Sequence, residues 1–213
     1  MKVFKMQLPK IPLELNKIED ITREILSEEK LEEVIIENAI IENIEQTSVK
    51  FDSCIFRNVM FINCSFTRID MTDVRFERCD LSNCEFFEGG LYRVEFKGCK
   101  IIGSRFDESS LNNISFKDCL GRYSNFSFST LKEVEFKECD LTGAVFQEAK
   151  LKKVNLENID FKEAIFRGTN IKDIDFRSCN INDIDINMED LKGGVVTAYQ
   201  ALELSRFLGI IIK

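Results

Sequence analysis

The sequence predicts an all-β fold: a right-handed quadrilateral β-helix of about eight coils, with a short N-terminal cap and a C-terminal helix. Three observations predict it. Large apolar side chains recur every five residues, a small or β-branched side chain precedes them by two residues, and a longer period of twenty residues runs through both. Self-similarity at a fixed period is the signature of a solenoid.

Every fifth residue from Phe51 to Leu191 is large and apolar, with one exception. The series holds 29 positions, 28 of them carry Phe, Leu, Ile or Met, and 15 of the 19 Phe of the chain lie on it. A period of five fits neither a helix nor a flat strand, but it fits a chain that turns a corner every five residues, with two side chains inward and three outward. The exception, Gly121, leaves a gap that either lets the rod bend or is a tolerated irregularity.

Four such sides close one square coil of twenty residues. Stacked coils satisfy one another's backbone groups in ladders about 4.8 Å apart, so residues twenty apart share a column. Two interior columns are built from Phe, and we expect them on opposite walls with aliphatic residues between them. The first consists of Phe56, Phe76, Phe96, Phe116 and Phe136, and the second of Phe66, Phe86, Phe106, Phe126, Phe146 and Phe166.

All eight cysteines fall on the small inward position of the repeat. They are Cys54, Cys64, Cys79, Cys84, Cys99, Cys119, Cys139 and Cys179. Zinc binding is the alternative for close neighbours such as Cys79 and Cys84, but an inward thiol packs as a small hydrophobe. We therefore predict structural packing and no metal, and the same burial argues against a reactive thiol.

The composition excludes several classes of function. The chain of 213 residues has no His, which rules out Ser-His and Cys-His mechanisms, and it has no GxxxxGK[ST] or GxGxxG phosphate loop. We predict no enzyme and no cofactor. No run of 18 apolar residues and no signal peptide is present, so we expect a cytoplasmic protein with a net charge of −8 and no membrane contact.

Residues 1–30 are predicted to form an N-terminal capping segment, because a solenoid leaves open edges that need covering. Within it the stretch from Asn16 to Lys30 is predicted to be a short helix that starts with a capping box of Asn16 and Glu19. Its apolar residues share one side, which we expect to cover the first coil. They are Ile18, Ile21, Ile25 and Leu26.

Residues 31–193 are assigned to the β-helix and residues 194–213 to a C-terminal helix and dimerisation module. Thr197 to Gln200 matches a capping box, a short helix is predicted from Ala201 to Leu208, and Gly209 is expected to end it. A β segment at residues 210–212 follows. The tail has more apolar residues than one coil needs for a cap, which favours a two-fold homodimer over a monomeric cap. The predicted interface is Tyr199, Ala201, Leu202, Leu204, Phe207, Leu208, Ile210, Ile211 and Ile212.

Two resemblances narrow the class of protein. The stretch Cys79-Asp80-Leu81-Ser82-Asn83 resembles the A(D/N)LXX consensus of the pentapeptide repeat family, and the pattern covers about three quarters of the chain. The tail, with Tyr199-Gln200-Ala201 and Leu208-Gly209-Ile210, resembles the C-terminal module of the Qnr and MfpA group of quinolone-resistance proteins. That resemblance implies a dimer that binds DNA gyrase and topoisomerase IV as an imitation of duplex DNA, without direct binding of nucleic acid. Some Qnr proteins carry projecting loops that matter for drug protection, and this chain has none.

The outward charges divide the rod into two sides. We number the walls 1 to 4 by their central residues Phe51, Phe56, Phe61 and Phe66. Walls 3 and 4 together carry a net charge of −5, and walls 1 and 2 together carry +2. We expect a DNA-binding enzyme to meet the acidic side, where the predicted partner-binding residues are Glu85, Phe87, Glu88, Asp107, Glu108, Phe128, Glu148 and Asp185.

Two alternatives stay open. The acidic side is equally compatible with an ordinary solvated surface, on which the N-terminal segment covers the two aromatic rings. The function is compatible with a protein-interaction scaffold for an unrelated cytosolic partner, because a fold does not fix a function.

Overall fold

In a computed structural model, which describes residues 6–18, 25 and 30–209, the chain winds into a four-walled parallel β-solenoid. This confirms the predicted fold class. The described part holds fourteen strands: β1 (Asn16–Lys17), β2 (Lys30–Glu32), β3 (Val34–Glu37), β4 (Ile40–Glu42), β5 (Glu45–Thr47), β6 (Lys50–Asp52), β7 (Ile55–Arg57), β8 (Met60–Ile62), β9 (Ser65–Thr67), β10 (Asp70–Glu77), β11 (Gly90–Lys97), β12 (Ser110–Lys117), β13 (Thr130–Lys137) and β14 (Lys150–Glu157).

The ladders follow the twenty-residue register that the sequence predicts. In β10 to β14 each strand spans walls 1 and 2 and pairs in parallel with the strand twenty residues later, as in Phe76 opposite Phe96. Walls 3 and 4 continue as single bridges, such as Asp80 with Lys100 and Glu85 with Arg105. These two walls have eight paired levels, so the solenoid makes about seven complete turns.

The corners depend on residues in the left-handed region of backbone conformation. One residue in each set of five has a positive φ, for example Asn58 at 53° and Asn63 at 51°. This conformation crowds the Cβ atom, and it is least costly for Gly, Asn and Asp. From residue 33 to residue 193 no β-branched side chain stands at this corner position, so the sequence carries a second signal of period five that complements the apolar one.

The interior is filled by the two predicted Phe columns, and the model confirms them. Phe96 and Phe116 stack with ring centroids 4.8 Å apart and planes 5° from parallel, and Phe106 and Phe126 stack at 5.1 Å. The columns face each other from opposite walls and meet edge to face, as in Phe106 and Phe116 at 6.0 Å. Offset and edge-on arrangements are those that the ring quadrupole favours.

The second inward position holds the eight cysteines, all of them buried and unpaired. Seven of the eight thiols, all but that of Cys179, can donate to a backbone carbonyl of the coil below; Cys99, for example, lies 3.4 Å from the oxygen of Phe76. Ser104 makes the same contact with Leu81 at 2.7 Å, which explains why small polar residues alternate with Cys here. At the gap left by Gly121, a Cβ atom would lie 2.7 Å from Leu141 and 3.1 Å from Ile101, so these neighbours close over it.

The N-terminal segment differs from the prediction at its start, whereas Ile25, within the predicted helix, is helical. Asn16 does not begin a helix, because Asn16 and Lys17 form strand β1 and pair with Val34 and Ile35 of the first coil. The exposed ladder of that coil offers unpaired backbone groups, and pairing with them outweighs the local capping preference. Glu19, Ile21 and Leu26 lie outside the described residues, and Ile25 is buried in the core.

The C-terminal segment follows its prediction closely. Helix α1 (Ala198–Leu204) begins with the predicted capping box: Thr197 accepts from the backbone of Gln200, and the Gln200 side chain accepts from Thr197. A 3-10 helix (Ser205–Leu208) continues it, and Gly209 ends it with φ at 67°. A second 3-10 helix (Met188–Leu191) precedes it at the top of the last coil. The predicted β segment at residues 210–212 lies outside the described residues.

Candidate protein-interaction surfaces

One corner column gathers four of the eight residues predicted to bind a partner. Glu88, Glu108, Phe128 and Glu148 follow one another at intervals of twenty residues, on the corner between walls 4 and 1, each with a positive φ. Each backbone N–H bonds to the next coil, as that of Phe128 does to Gln147 at 2.9 Å. The solenoid therefore fixes their backbones in one line along the rod, about 4.8 Å apart.

Glu88 of this column pairs with Arg68 at 2.8 Å, and the acidic residues of this surface outside the column are also paired with arginines of wall 4. Asp107 receives two bonds from the guanidinium of Arg105, at 2.8 and 3.1 Å, and Glu85 lies 3.4 Å from the same group. Asp185 pairs with Arg167 at 2.7 Å. Ion pairing leaves the net charge of the walls unchanged but weakens the local field, because each carboxylate is screened by a cation beside it.

The two aromatic rings of wall 4 differ in their surroundings. Phe87 is half-buried and lies beneath Arg105, whose guanidinium carbon is 5.7 Å from the ring centroid. Phe128 is 54% exposed, and its column neighbours Glu108 and Glu148 are exposed and make no ion pair within the described residues. The arrangement at Phe128 is a solvent-facing ring between two free carboxylates.

Tyr123 and Leu120 extend this apolar surface onto wall 3, and the sequence did not single them out. Tyr123 is 63% exposed and its ring lies beside Gly143, where an added Cβ atom would fall 2.7 Å from the ring. Leu120 is also exposed. Glycine at position 143, which is also in the left-handed region with φ at 67°, provides the room for the ring.

In the described part of the N-terminal segment, no hydrogen bond reaches the wall that carries Phe87 and Phe128. It runs along the corner between walls 1 and 2, where the backbone N–H of Lys10 donates to Asp73 at 2.7 Å and that of Gln7 donates to Asn113 at 2.8 Å. Burial alone would raise the pKa of Asp73, but the bonds from Arg93 and Lys10 hold it below its ordinary value. We call residues 6–12 the strap.

The predicted dimer surface is strongly apolar where the structure describes it. Tyr199, Leu202 and Leu208 are exposed, and Leu204 and Phe207 are half-buried against the last coil. A cleft of about 350 Å³ lies between the helix and that coil, and Ile171, Leu191 and Val196 are among the residues that line it. Residues 210–212 of the predicted interface lie outside the described residues.

The inward thiols of Cys54 and Cys84 are unsuited to nucleophilic or metal chemistry in this state. Burial raises the pKa of the Cys54 thiol to about 12, and it also raises the pKa of the Cys84 thiol. A thiol must lose its proton to act as a nucleophile or to bind a metal. Within the described residues, no cluster of three or more Cys, Asp or Glu has an arrangement suited to a metal ion, and no helix is long and apolar enough to cross a bilayer.

Parallel ladders on four walls, a five-residue repeat and two stacked Phe columns define a repeat solenoid. The chain belongs to the pentapeptide repeat family: the model of a pentapeptide repeat region matches residues 69–144 and 129–195, which together are more than half of the chain. A model of the SV2A/B/C luminal domain also matches residues 16–106. No curated protein matches the sequence significantly.

Several solved structures are similar to this chain. Full-length QnrB1, a plasmid-mediated fluoroquinolone resistance protein, is 17% identical over 83% of this chain and 100% of its own, with a TM-score of 0.47. HetL, a pentapeptide repeat protein involved in heterocyst differentiation regulation in the cyanobacterium Nostoc sp. strain PCC 7120, is 13% identical over 82% of this chain and 92% of its own, with a TM-score of 0.31.

Proposed function

We propose that this protein is a cytoplasmic homodimer that binds DNA gyrase or topoisomerase IV through walls 3 and 4, in place of duplex DNA, and protects the enzyme from quinolones. The observation that carries the proposal is the corner column of the acidic side, where exposed Phe128 stands between Glu108 and Glu148, two carboxylates that make no ion pair with any residue the structure describes. The resemblance of the tail to the Qnr and MfpA module supplies the identity of the enzyme. The role is one of binding, without catalysis.

The charge density of walls 3 and 4 indicates how closely this side of the rod can imitate duplex DNA. From residue 60 upward walls 3 and 4 carry −5 over seven levels, which is about one net negative charge per 7 Å at a spacing of about 4.8 Å. Duplex DNA carries one per about 1.7 Å. Because the rod has about a quarter of that density, charge steers the encounter, and exposed apolar side chains such as Phe128 and Tyr123 must supply much of the contact energy.

The strap supports the choice of side. It occupies the corner between walls 1 and 2 through its bonds to Asp73 and Asn113, while the column of Phe128 stays open to solvent. A partner that approaches walls 3 and 4 therefore does not have to displace the strap. An enzyme that gripped walls 1 and 2 would first have to remove the strap.

Dimerisation through the tail is part of the proposal. The exposed side chains of Tyr199, Leu202 and Leu208 are large enough to form the core of a two-fold interface. Replacing Leu202 and Leu208 by Asp should give a monomer by analytical ultracentrifugation, since both charges would lie in the contact. Replacement of Leu120, an exposed leucine of wall 3, is the matched control and should leave the dimer intact. A monomeric native protein would contradict this part.

The test of the binding side uses gyrase supercoiling with the purified full-length protein. We expect inhibition of supercoiling, or rescue from a fluoroquinolone. The triple replacement Glu108→Lys, Phe128→Ala and Glu148→Lys should weaken it at least about tenfold. Replacing Asp118 and Glu138 by Lys is the control, because these carboxylates are exposed at the equivalent corner position of wall 2. Absence of any effect at concentrations well above that of the enzyme would refute the proposal.

The second candidate is a protein-interaction scaffold for an unrelated cytosolic partner. The observation that favours it is the pairing of Glu85, Asp107 and Asp185 with arginines, because a surface of mixed sign suits an ordinary protein partner better than an imitation of DNA. A pull-down from native lysate that recovers another protein and no topoisomerase would select this function.

A further inference from the structure

Wall 1 is not continuous along the rod. Its ladder joins six successive strand pairs up to β13 and β14, but no bridge connects β14 with the level above it at residues 170–173. In the described residues, the backbone N–H groups of Leu151 and Lys153 make no bond to that level. The equivalent group of Ser53, by contrast, donates to Thr72 at 2.9 Å. The upper edge of β14 is therefore an open strand edge in the middle of a wall.

The break coincides with a change in the corner above it. In β10 to β14 the chain bends from wall 1 to wall 2 as one continuous strand, with Lys153 as the corner residue of β14. One level higher the N–H of Ile174 donates to the carbonyl of Ile171 at 3.1 Å, which makes a tight turn. The residues of that level bond instead to the chain at the top of the last coil. The backbone N–H of Ile171 donates to the carbonyl of Asp190, and that of Asp173 donates to the carbonyl of Gly193. The two corner geometries do not match, so the ladder cannot continue.

The break opens a cleft of about 730 Å³, a size that is typical of ligand sites. Four exposed lysines line it, and none of them has a carboxylate oxygen within 4.0 Å in the described part of the chain. They are Lys132, Lys150, Lys152 and Lys172. Lysines 132, 152 and 172 share one column, and like charges in one column repel. An anionic occupant would remove that repulsion.

We propose that this cleft binds an extended acidic peptide segment of a partner protein, which adds to β14 as a strand. The open edge supplies backbone hydrogen bonds, as in other cases of β-strand addition. The lysines select the partner, because they repel a basic strand, would lose hydration without compensation beside a neutral one, and attract a strand with carboxylates. Leu151, half-buried at the edge, offers an apolar contact for alternate side chains of the peptide.

The site is separate from the acidic side proposed for the topoisomerase. It lies on wall 1, its charge has the opposite sign, and of the residues named for the acidic side only Glu148 also borders it. Glu148 is therefore left unchanged in the test.

The experiment uses the full-length protein and a fluorescent, end-capped eight-residue peptide that alternates Glu and Val. We expect saturable binding by anisotropy and slower hydrogen exchange at the amides of Leu151 and Lys153. Replacing both Lys152 and Lys172 by Glu should weaken binding at least about tenfold. Replacing Lys97 and Lys117 by Glu is the matched control, since these lysines are also twenty residues apart and without an ion pair, but on wall 2.

A second peptide separates strand addition from simple attraction between charges. It has the same sequence with N-methyl groups on alternate residues, so it keeps its charge but loses the hydrogen bonds of one edge. We expect at least about a tenfold loss of affinity. Equal binding of both peptides, or displacement by inorganic polyphosphate with no protection of Leu151 and Lys153, would overturn the proposal in favour of a general anion site. No binding of the acidic peptide would overturn it outright.

Discussion

The side-chain amide nitrogen of Gln200 lies 2.8 Å from the backbone carbonyl oxygen of Phe176 and also 2.8 Å from that of Cys179. Its oxygen accepts the backbone N–H of Thr197, so one buried side chain both caps helix α1 and ties it to the last coil. The C-terminal helix is short and marginal on its own. Gln200 is therefore the residue that fixes the position of the proposed dimer surface.

Replacing Gln200 by Leu should lower the free energy of unfolding by about 1–3 kcal/mol, because buried carbonyl groups would lose their donor. We also expect a weaker dimer, since the helix would lose its anchor. Chemical denaturation and sedimentation velocity measure the two effects. Gln147→Leu, an exposed glutamine on wall 4, is the control and should change neither by much. A stable, fully dimeric Gln200→Leu variant would show that the helix is held by other contacts.

Phe106 tests the interior columns. It is fully buried and stacks between Phe86 and Phe126, with both centroids at 5.1 Å. Phe106→Ala should cost about 3–5 kcal/mol of stability, from lost burial and from the cavity that remains. The same substitution at exposed Phe128 should cost less than about 1 kcal/mol. Similar losses for the two variants, measured by urea denaturation, would be incompatible with the assignment of inside and outside.

The corner residues test the backbone geometry. Asn63 has φ at 51°, where a β-branched side chain is strained. Asn63→Val should destabilise the protein by about 1–3 kcal/mol relative to Asn63→Gly, and both variants lose the same bond to Asn43. Thr67→Val, at an ordinary strand position of β9, is the control and should change stability by less than about 0.5 kcal/mol. Equal stability of the Val and Gly variants would contradict the requirement for a left-handed corner.

The strap makes stability depend on pH through Asp73. The pKa of this carboxyl is lowered in the folded protein from its ordinary value of 3.8, by its bonds to Arg93 and to the backbone of Lys10. A group with a lowered pKa contributes stability above the unfolded value, and the contribution is lost as the pH falls through the folded value. The Asp73→Asn variant should therefore be less stable than the native protein at neutral pH. This difference in stability should disappear in strong acid.

Thermal unfolding of both proteins between about pH 2 and pH 7 measures the difference in stability between Asp73→Asn and the native protein. The control is Asp118→Asn, which changes an exposed carboxylate without an ion pair on wall 2 and should have little effect throughout. A gap between Asp73→Asn and the native protein that stays constant over this range would mean that the ionised form of Asp73 is not what holds the strap.

The repeated part of the fold was predictable from the sequence alone. The positions of Phe76, Phe96 and Phe116 predict their stacking, because a period that never slips leaves a single register in which every coil buries the same side chains. The C-terminal capping box was predictable for a similar reason, since the bonds between Thr197 and Gln200 are local.

The N-terminal segment was not predictable in the same way. The residues from Asn16 onward match a helix start, yet Asn16 pairs with Val34, a partner that only the folded solenoid offers. The strap is a further case, because its bonds to Asp73 and Asn113 join residues far apart in sequence and depend on no motif.

Some features of the candidate surfaces could also be predicted from the sequence, and others could not. The sequence alone determined which side chains point outward and what net charge each wall carries, because direction follows from position in the repeat. The three-dimensional contacts were needed to establish that Glu85 and Asp107 pair with Arg105, that Glu108 and Glu148 make no ion pair among the described residues, and that wall 1 opens above β14. The physical reason is that ion pairs and strand breaks depend on contacts between neighbouring coils, at distances of a few ångströms, whereas the periodicity fixes only the order in which residues reach each wall.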